Sequence, residues 1–242
     1  SVDTLVADVH FPADADPELI AERALRTNLS DLAAMGADPL WFTLALTLPQ
    51  ADESWLRAFS RGLFSCAGEY GIALVGGDTT SGPLSITIQV MGATQPQQTL
   101  RRDGANVGDF VLVTHYLGDG AAALAALQQQ HTFSDAHRDY LLQRFYRPIP
   151  RLHESRLIRD IASSALDISD GLVADLQHIC AASDVGAVIY VEDLPLSPAV
   201  LSLVEQSPAQ QHQIYEWALG GGDDYELCFT VSPEKMPDIA ML

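Results

Sequence analysis

Basic residues are scarce in this chain of 242: 13 Lys and Arg stand against 32 Asp and Glu, a formal charge of −19. A general nucleic-acid binder needs a basic patch to meet the phosphate backbone, and so few cations cannot build one. Acidity alone otherwise signals solubility. Cysteine is scarce too. Cys66, Cys180 and Cys228 lie far apart among apolar neighbours, so the paired spacing of a zinc site is missing. They read as reduced, buried thiols of a cytoplasmic protein. No run of 18 apolar residues occurs, so nothing is expected to span a membrane. The opening Ser1-Val2-Asp3 lacks the basic-then-apolar pattern of a signal peptide. Also missing are the Gly-x-x-x-x-Gly-Lys-Ser/Thr phosphate loop and the protein-kinase motif set.

What is present is apolar content of 48%, enough for a sizeable core in one large or two ordinary domains. Asp16-Pro17 predicts a helix start and Gly36 its stop. Trp41 to Leu48 alternates as a strand, with Phe42, Leu44 and Leu46 on one face. A helix is expected from Asp52 to Tyr70, with Leu56, Phe59, Leu63 and Ala67 on one side. Ile72 to Val75 predicts a short strand ending at Gly76-Gly77-Asp78, and Ser85 to Met91 a strand burying Ile86, Ile88 and Val90. The polar, glycine-containing stretch 96–109 places a boundary between domains 1–95 and 96–242. Beyond it, Phe110 to Thr114 reads as a strand, and a small-residue helix starts at Gly120. Arg147-Pro148-Ile149-Pro150 breaks the chain. Helices near 151–163 and 171–183 flank a strand ending at Asp167. Val188 to Val191 reads as one more strand, and Leu194 to Ser197 leads into a further helix. Strands and helices mix in both halves, with hairpin-like returns in the first, which favours an α+β layered fold. A weak internal echo links Ala73–Asp78 with Ala218–Asp223, from related halves or from chance.

Five places carry chemistry. Asn28 and Asp31 lie beside or within the face of the first helix that should be buried, where a carboxylate is costly unless paired or bound to metal; a bond to a neighbouring loop is the other reading of Asp31. Gly76-Gly77-Asp78-Thr79-Thr80 offers amides to a phosphate and a carboxylate to its cation, or is a plain hairpin turn. In Asp167-Ile168-Ser169-Asp170-Gly171-Leu172, Asp167 and Ser169 share a face. Asp170 stands where a helix cap would, yet capping does not account for Asp167. Gly220 to Glu226 reads as a flexible acidic loop, as consistent with a solvated turn as with a site. Asp3 and His10 open the chain, and a lone histidine is more often structural. Carboxylates at strand ends, glycine-rich turns and few cations together suit magnesium, which takes oxygen ligands and bridges to substrate phosphates. Phosphoryl transfer needs little beyond such alignment and charge neutralisation.

With these strings in this order, from Asn28-Leu29-Ser30-Asp31-Leu32-Ala33-Ala34-Met35-Gly36 through Gly76–Thr80 and Asp167–Leu172 to Gly221–Leu227, the chain resembles the thiamine-monophosphate kinase family of the aminoimidazole-ribonucleotide synthetase (PurM-like) superfamily. The resemblance covers essentially the whole sequence. It implies a two-domain α+β fold and a homodimer formed mainly through the N-terminal domains. It also implies ATP, several Mg2+ ions, and direct in-line transfer of the γ-phosphate to thiamine monophosphate. By the same resemblance Asp3, Asp31, Asp78, Asp167 and Asp170 are expected metal ligands. Gly77, Asp78, Arg102 and Ser169 are expected nucleotide contacts, and His10 and Asp223 contacts to thiamine monophosphate. The chain departs from the family in having Val2 for a usual Thr and Asp223 for a usual Glu. It also carries neither the family's Gly-Asp-Asp segment before Asp3 nor its closing segment with an aromatic residue. Two other readings stay open. A selenophosphate synthetase-like enzyme would want a reactive Cys or selenocysteine near the start, where this chain has none. An acidic module would bind nucleotide or cation without turnover.

Overall fold

The computed structural model describes residues 1–242 throughout. Its first half holds a four-stranded sheet made of β1 (Val2–Val6), β2 (Asp38–Leu48), β3 (Ala73–Ser81) and β4 (Ser85–Ala93), in the order β1-β4-β2-β3. Helices α1 (Pro17–Ala34) and α2 (Glu53–Tyr70) cover one face. Both helices begin as the sequence predicts. Asp16 and Asp52 cap them, Asp16 accepting the N–H of Glu18 and Asp52 those of Ser54 and Trp55, and Pro17 occupies the first helical position. Gly36, with φ +68°, turns the chain out of α1 in the left-handed region. Phe42, Leu46, Ile86, Ile88 and Val90 are buried under the helices and Leu44 partly so, as their alternation requires.

The second half builds a three-stranded sheet, β5 (Phe110–Val113), β6 (Ser164–Asp167) and β7 (Leu227–Val231), in the order β5-β7-β6. Around it lie α3 (Asp119–Leu127), α4 (Asp135–Tyr146), α5 (Leu152–Ile158), α6 (Leu172–Ser183), α7 (Pro198–Gln206), α8 (Gln211–Gly220) and the short α9 (Met236–Ile239). The central strand β7 is buried on both faces. Leu227, Phe229 and Val231 join the large core around α1, while Cys228 joins a second core with Leu166 and Ile179. The largest core thus runs through both halves, and α1 is the element they share. Burial pushes the Cys66 and Cys228 thiols up to about 12, in keeping with inert thiols, while Cys180, expected to be buried, is only partly so; all three are free. No helix is long and apolar enough to cross a membrane.

Four expectations need correction. The strand predicted to end at Gly76 continues to Ser81, because β3 pairs with β2 through Asp78 and beyond, so the Gly-Gly-Asp segment is an edge strand, not a turn. The helix expected over 151–163 ends at Ile158. Val188 to Val191 forms no strand. Its apolar alternation instead lines a cavity of ≈ 680 Å³ beside β5, whose outer edge is unpaired. The internal echo is not structural: one copy lies in an edge strand and the other runs from a helix end into a loop.

Candidate active site

Three of the predicted carboxylates meet where α1 passes between the two sheets. Asp3 lies on β1, and its N–H donates to Asn28 Oδ1 on α1 at 3.1 Å. Asp31, on the last turn of the same helix, lies within hydrogen-bonding reach of the Asp3 carboxyl group. Asp167 closes β6 and accepts from the Ser30 hydroxyl at 2.7 Å. Burial and then the neighbouring Asp31 charge push Asp167 up to about 7, although the Ser30 hydrogen bond pulls the other way. Asp3 is raised by desolvation of its carboxyl group first and by Asp31 second. Asp31 Oδ2 is buried with no partner, and no salt bridge reaches any of the three.

Like charges gathered in this way, with an orphaned buried oxygen among them, fit a hard cation with oxygen ligands. No three acidic side chains converge on one point as a closed metal cage would.

Ser169 and Asp170 follow at the surface, in the turn between β6 and α6. Asp170 does not cap α6, whose N-cap is Gly171. Asp175, inside the first turns of α6, bends back instead, and its Oδ2 accepts the N–H groups of Ser169, Asp170 and Gly171 at 3.0–3.1 Å. The Asp170 carboxylate is left facing solvent at the mouth of the site. The acidic loop is stitched to this turn: Asp223 N–H donates to Ser169 O, Tyr225 N–H to Ile168 O, and Ile168 N–H to Glu226 O, each at 2.8 Å. Gly222 permits the close approach, since a Cβ there would lie 2.6 Å from Ser169 O.

The loop is therefore not a flexible, solvated turn. Asp224 and Glu226 are buried. Asp224 accepts the N–H groups of Gly118 and Gly120 at the start of α3. Glu226 takes hydrogen bonds from both Arg144 and Arg151 at 2.6 Å. Asp223 is the member left at a cavity, of ≈ 360 Å³, which His10, Phe11, Leu124 and Phe145 also line. His10 Nδ1 accepts the Val6 N–H at 3.0 Å, which leaves Nε2 as the free nitrogen. Thus the two residues expected to touch thiamine monophosphate share one cavity.

Gly77, Asp78 and Arg102 stand apart from this cluster within the chain. Asp78 pairs with Ala45, Ala45 with Thr87 and Thr87 with Thr4, so Asp78 is level with the β1 residues but on the opposite sheet edge. Three inter-strand gaps make that about 14 Å. Gly77 has φ +155°, and a Cβ there would lie 1.9 Å from Leu44 O, so only glycine lets this edge strand hug its neighbour. Arg102 is exposed, and its carbonyl oxygen accepts the hydroxyl of Ser183 at the far end of α6 from Asp170. It forms no ion pair, whereas Arg101 pairs with Asp103.

Sequence reasoning passed over Arg23. Its Nη2 donates to both oxygens of Asp223, at 2.7 and 2.8 Å, its Nη1 donates to Phe145 O, and its guanidinium lies 3.9 Å from the centre of the Phe145 ring. The available signal was the polar run Glu22, Arg23 and Arg26 on a helix with few solvent-facing positions.

Comparison with known proteins bears on both halves. The family model described as AIR synthase related protein, N-terminal domain, matches residues 1–94, and its C-terminal counterpart matches residues 106–236. The thiamine-monophosphate kinase of Salmonella typhimurium is 53% identical over 234 residues, covering 96% of this chain and 70% of that protein. The crystal structure of the thiamine-monophosphate kinase from Stenotrophomonas maltophilia superposes with a TM-score of 0.93 at 43% identity, covering 100% of this chain and 76% of the other. A structure described as AaThiL complexed with AMPPCP and TMP gives a TM-score of 0.90 at 34% identity, over 97% of this chain and 75% of that one.

Proposed function

The chain belongs to the thiamine-monophosphate kinase family, and we propose that it transfers the γ-phosphoryl group of ATP to the phosphate of thiamine monophosphate, giving thiamine diphosphate and ADP. The observation that carries this reading is the Asp3–Asp31–Asp167 cluster, acidic and reached by no salt bridge, in a chain 53% identical over 234 residues to a kinase of that name. Phosphoryl transfer asks the protein for alignment and for neutralisation of charge on the transferring group, more than for covalent chemistry.

In this reading Asp3, Asp31, Asp167 and Asp170 hold Mg2+, which neutralises the phosphate oxygens when bound. Ser169, in the exposed turn, contacts the nucleotide. His10 and Asp223 orient thiamine monophosphate in their shared cavity, His10 through Nε2. Transfer is direct and in line.

Gly77, Asp78 and Arg102 belong to the nucleotide and metal site through a homodimer. The face of the first sheet turned away from α1 and α2 exposes Val2, Trp41 and Val75, an apolar patch of the kind that marks interfaces. A second copy packed there, with its β3 beside β1, would bring its Gly77 and Asp78 to Asp3. Mixing Asp31→Ala and Asp78→Ala chains should then restore part of the activity that each lacks alone. We place the protein in the cytoplasm and its domain boundary in the polar stretch after residue 95.

The test is incubation with ATP, Mg2+ and thiamine monophosphate, followed by chromatography. Thiamine diphosphate and ADP in equal amounts are expected. ATP bound but never consumed would favour the module without turnover, and ADP released with another acceptor would replace thiamine monophosphate.

A further inference from the structure

Arg23 and Ser30 are seven residues apart on α1, two helical turns, so they share a face about 10.5 Å apart along the axis. Each grips an acid of the C-terminal half: Arg23 holds Asp223 and Ser30 holds Asp167. The backbones that carry these two acids are already joined, Asp223 N–H to Ser169 O, and one helix of the N-terminal half holds both side chains, at the acceptor cavity and in the acidic cluster. The grip on Asp223 is firm. A single nitrogen, Nη2, bonds both carboxylate oxygens, so each keeps a lone pair for a further contact. Arg23 is held in turn by Phe145 O and by the Phe145 ring, and its side chain is 4% exposed against 26% for Asp223. Asp223 needs such a hold. Its φ of +64° lies in the left-handed region, uncommon for a residue with a side chain, and glycines precede it in the loop.

We propose that Arg23 is a positioning residue for the acceptor: it fixes Asp223 at the cavity, at a set distance from Asp167, and so governs how thiamine monophosphate is aligned for transfer. The inference rests on the assignment of Asp223 as an acceptor contact. Arg23 reaches the acceptor through Asp223. Without it the carboxylate is free to leave its left-handed backbone position, and a displacement of about 1 Å at such a site costs on the order of 10²-fold in rate. A lysine keeps the charge but loses the planar fork.

The experiment measures KM for thiamine monophosphate, KM for ATP and kcat in the intact chain, for Arg23→Ala, Arg23→Lys, Asp223→Asn and the double variant Arg23→Ala/Asp223→Asn. Arg23→Ala should lower kcat/KM for thiamine monophosphate about 10²-fold and leave KM for ATP within about twofold. Arg23→Lys should recover part of the loss, and the double variant should be no worse than the poorer single one, as for residues that act as a unit. If Asp223→Asn leaves KM for thiamine monophosphate unchanged, the acceptor-contact assignment fails. If Asp223→Asn raises it while Arg23→Ala does not, the positioning role alone fails. Should Arg23→Ala not fold, Arg23→Lys decides: equal losses for both substrates mean a merely structural tie and overturn the proposal.

Discussion

Two groups of acids lie within this one chain, one buried throughout and one running from the buried Asp167 out to the exposed Asp3, and they are neutralised in different ways. Asp119, Asp224 and Glu226 are supplied by the fold itself: two arginines on Glu226, two amide groups on Asp224, and the hydroxyls of Tyr140 and Ser197 on Asp119. Asp3, Asp31 and Asp167 receive one serine hydroxyl and no salt bridge, and the Asp31 charge raises both of the others. A buried charge is tolerated only with a partner. The first group therefore explains itself as architecture, whereas the second is left open to charge from outside the chain. Counting acids in the sequence cannot separate the two groups; asking where each counter-charge comes from can.

The comparison is tested most severely by Glu226→Ala. It removes the principal counter-charge of Arg144 and Arg151, leaving only the more distant Asp119 and the partly exposed Glu154, and should cost about 3–5 kcal/mol in chemical denaturation. A loss under about 1 kcal/mol would mean that the arginines find other partners, Asp119 being 3.7 Å from Arg144, and the contrast would collapse. Asp31→Asn should do the reverse. Turnover should fall by about 10²–10³-fold, the scale of losing one group that stabilises transition-state charge, while the unfolding midpoint holds or rises as repulsion with Asp3 and Asp167 is relieved. Turnover kept at saturating magnesium would remove Asp31 from the metal set.

A third test uses pH. Burial pushes Asp224 up to about 7, against the two amide bonds that pull it down. Between about pH 4 and 7 the folded state then binds the proton that the unfolded state has released, so stability falls as pH rises, by at most about 1.4 kcal/mol per pH unit. Denaturation curves across that window should lose this contribution in Asp224→Asn; an unchanged slope would assign it elsewhere. The smallest effect belongs to an acid in neither group. Glu53 pairs with Arg57 on the open face of α2, and Arg57→Ala should cost no more than about 0.5 kcal/mol.

Much of the first half was legible because its signals are local. Asp16-Pro17, Gly36, Asp52 and the alternation of β2 and β4 each depend on a few neighbouring residues. Asp3, Asp31, Asp167, His10 and Asp223 were singled out through sequence strings, and the chain brings them together in two adjoining places. Val188 to Val191 carries the alternation of a strand, but a strand also needs a neighbour, and none stands there. The acidic loop misled for a related reason: whether Asp224 is solvated or buried depends on α3, more than a hundred residues earlier. Arg23 was hidden because its partner is 200 positions away.

The shared face of Arg23 and Ser30 also limits how the gene can change. A residue inserted between them turns one contact about 100° away from the other and lengthens their separation by about 1.5 Å. No nearby loop can absorb the error, because both acids are anchored in a different half of the protein. The exposed connection at 128–130 can gain or lose residues at less cost. The span from 23 to 30, buried throughout, is costly to substitute and costlier still to lengthen or shorten, so among diverging copies of this sequence it should be the stretch that gaps avoid.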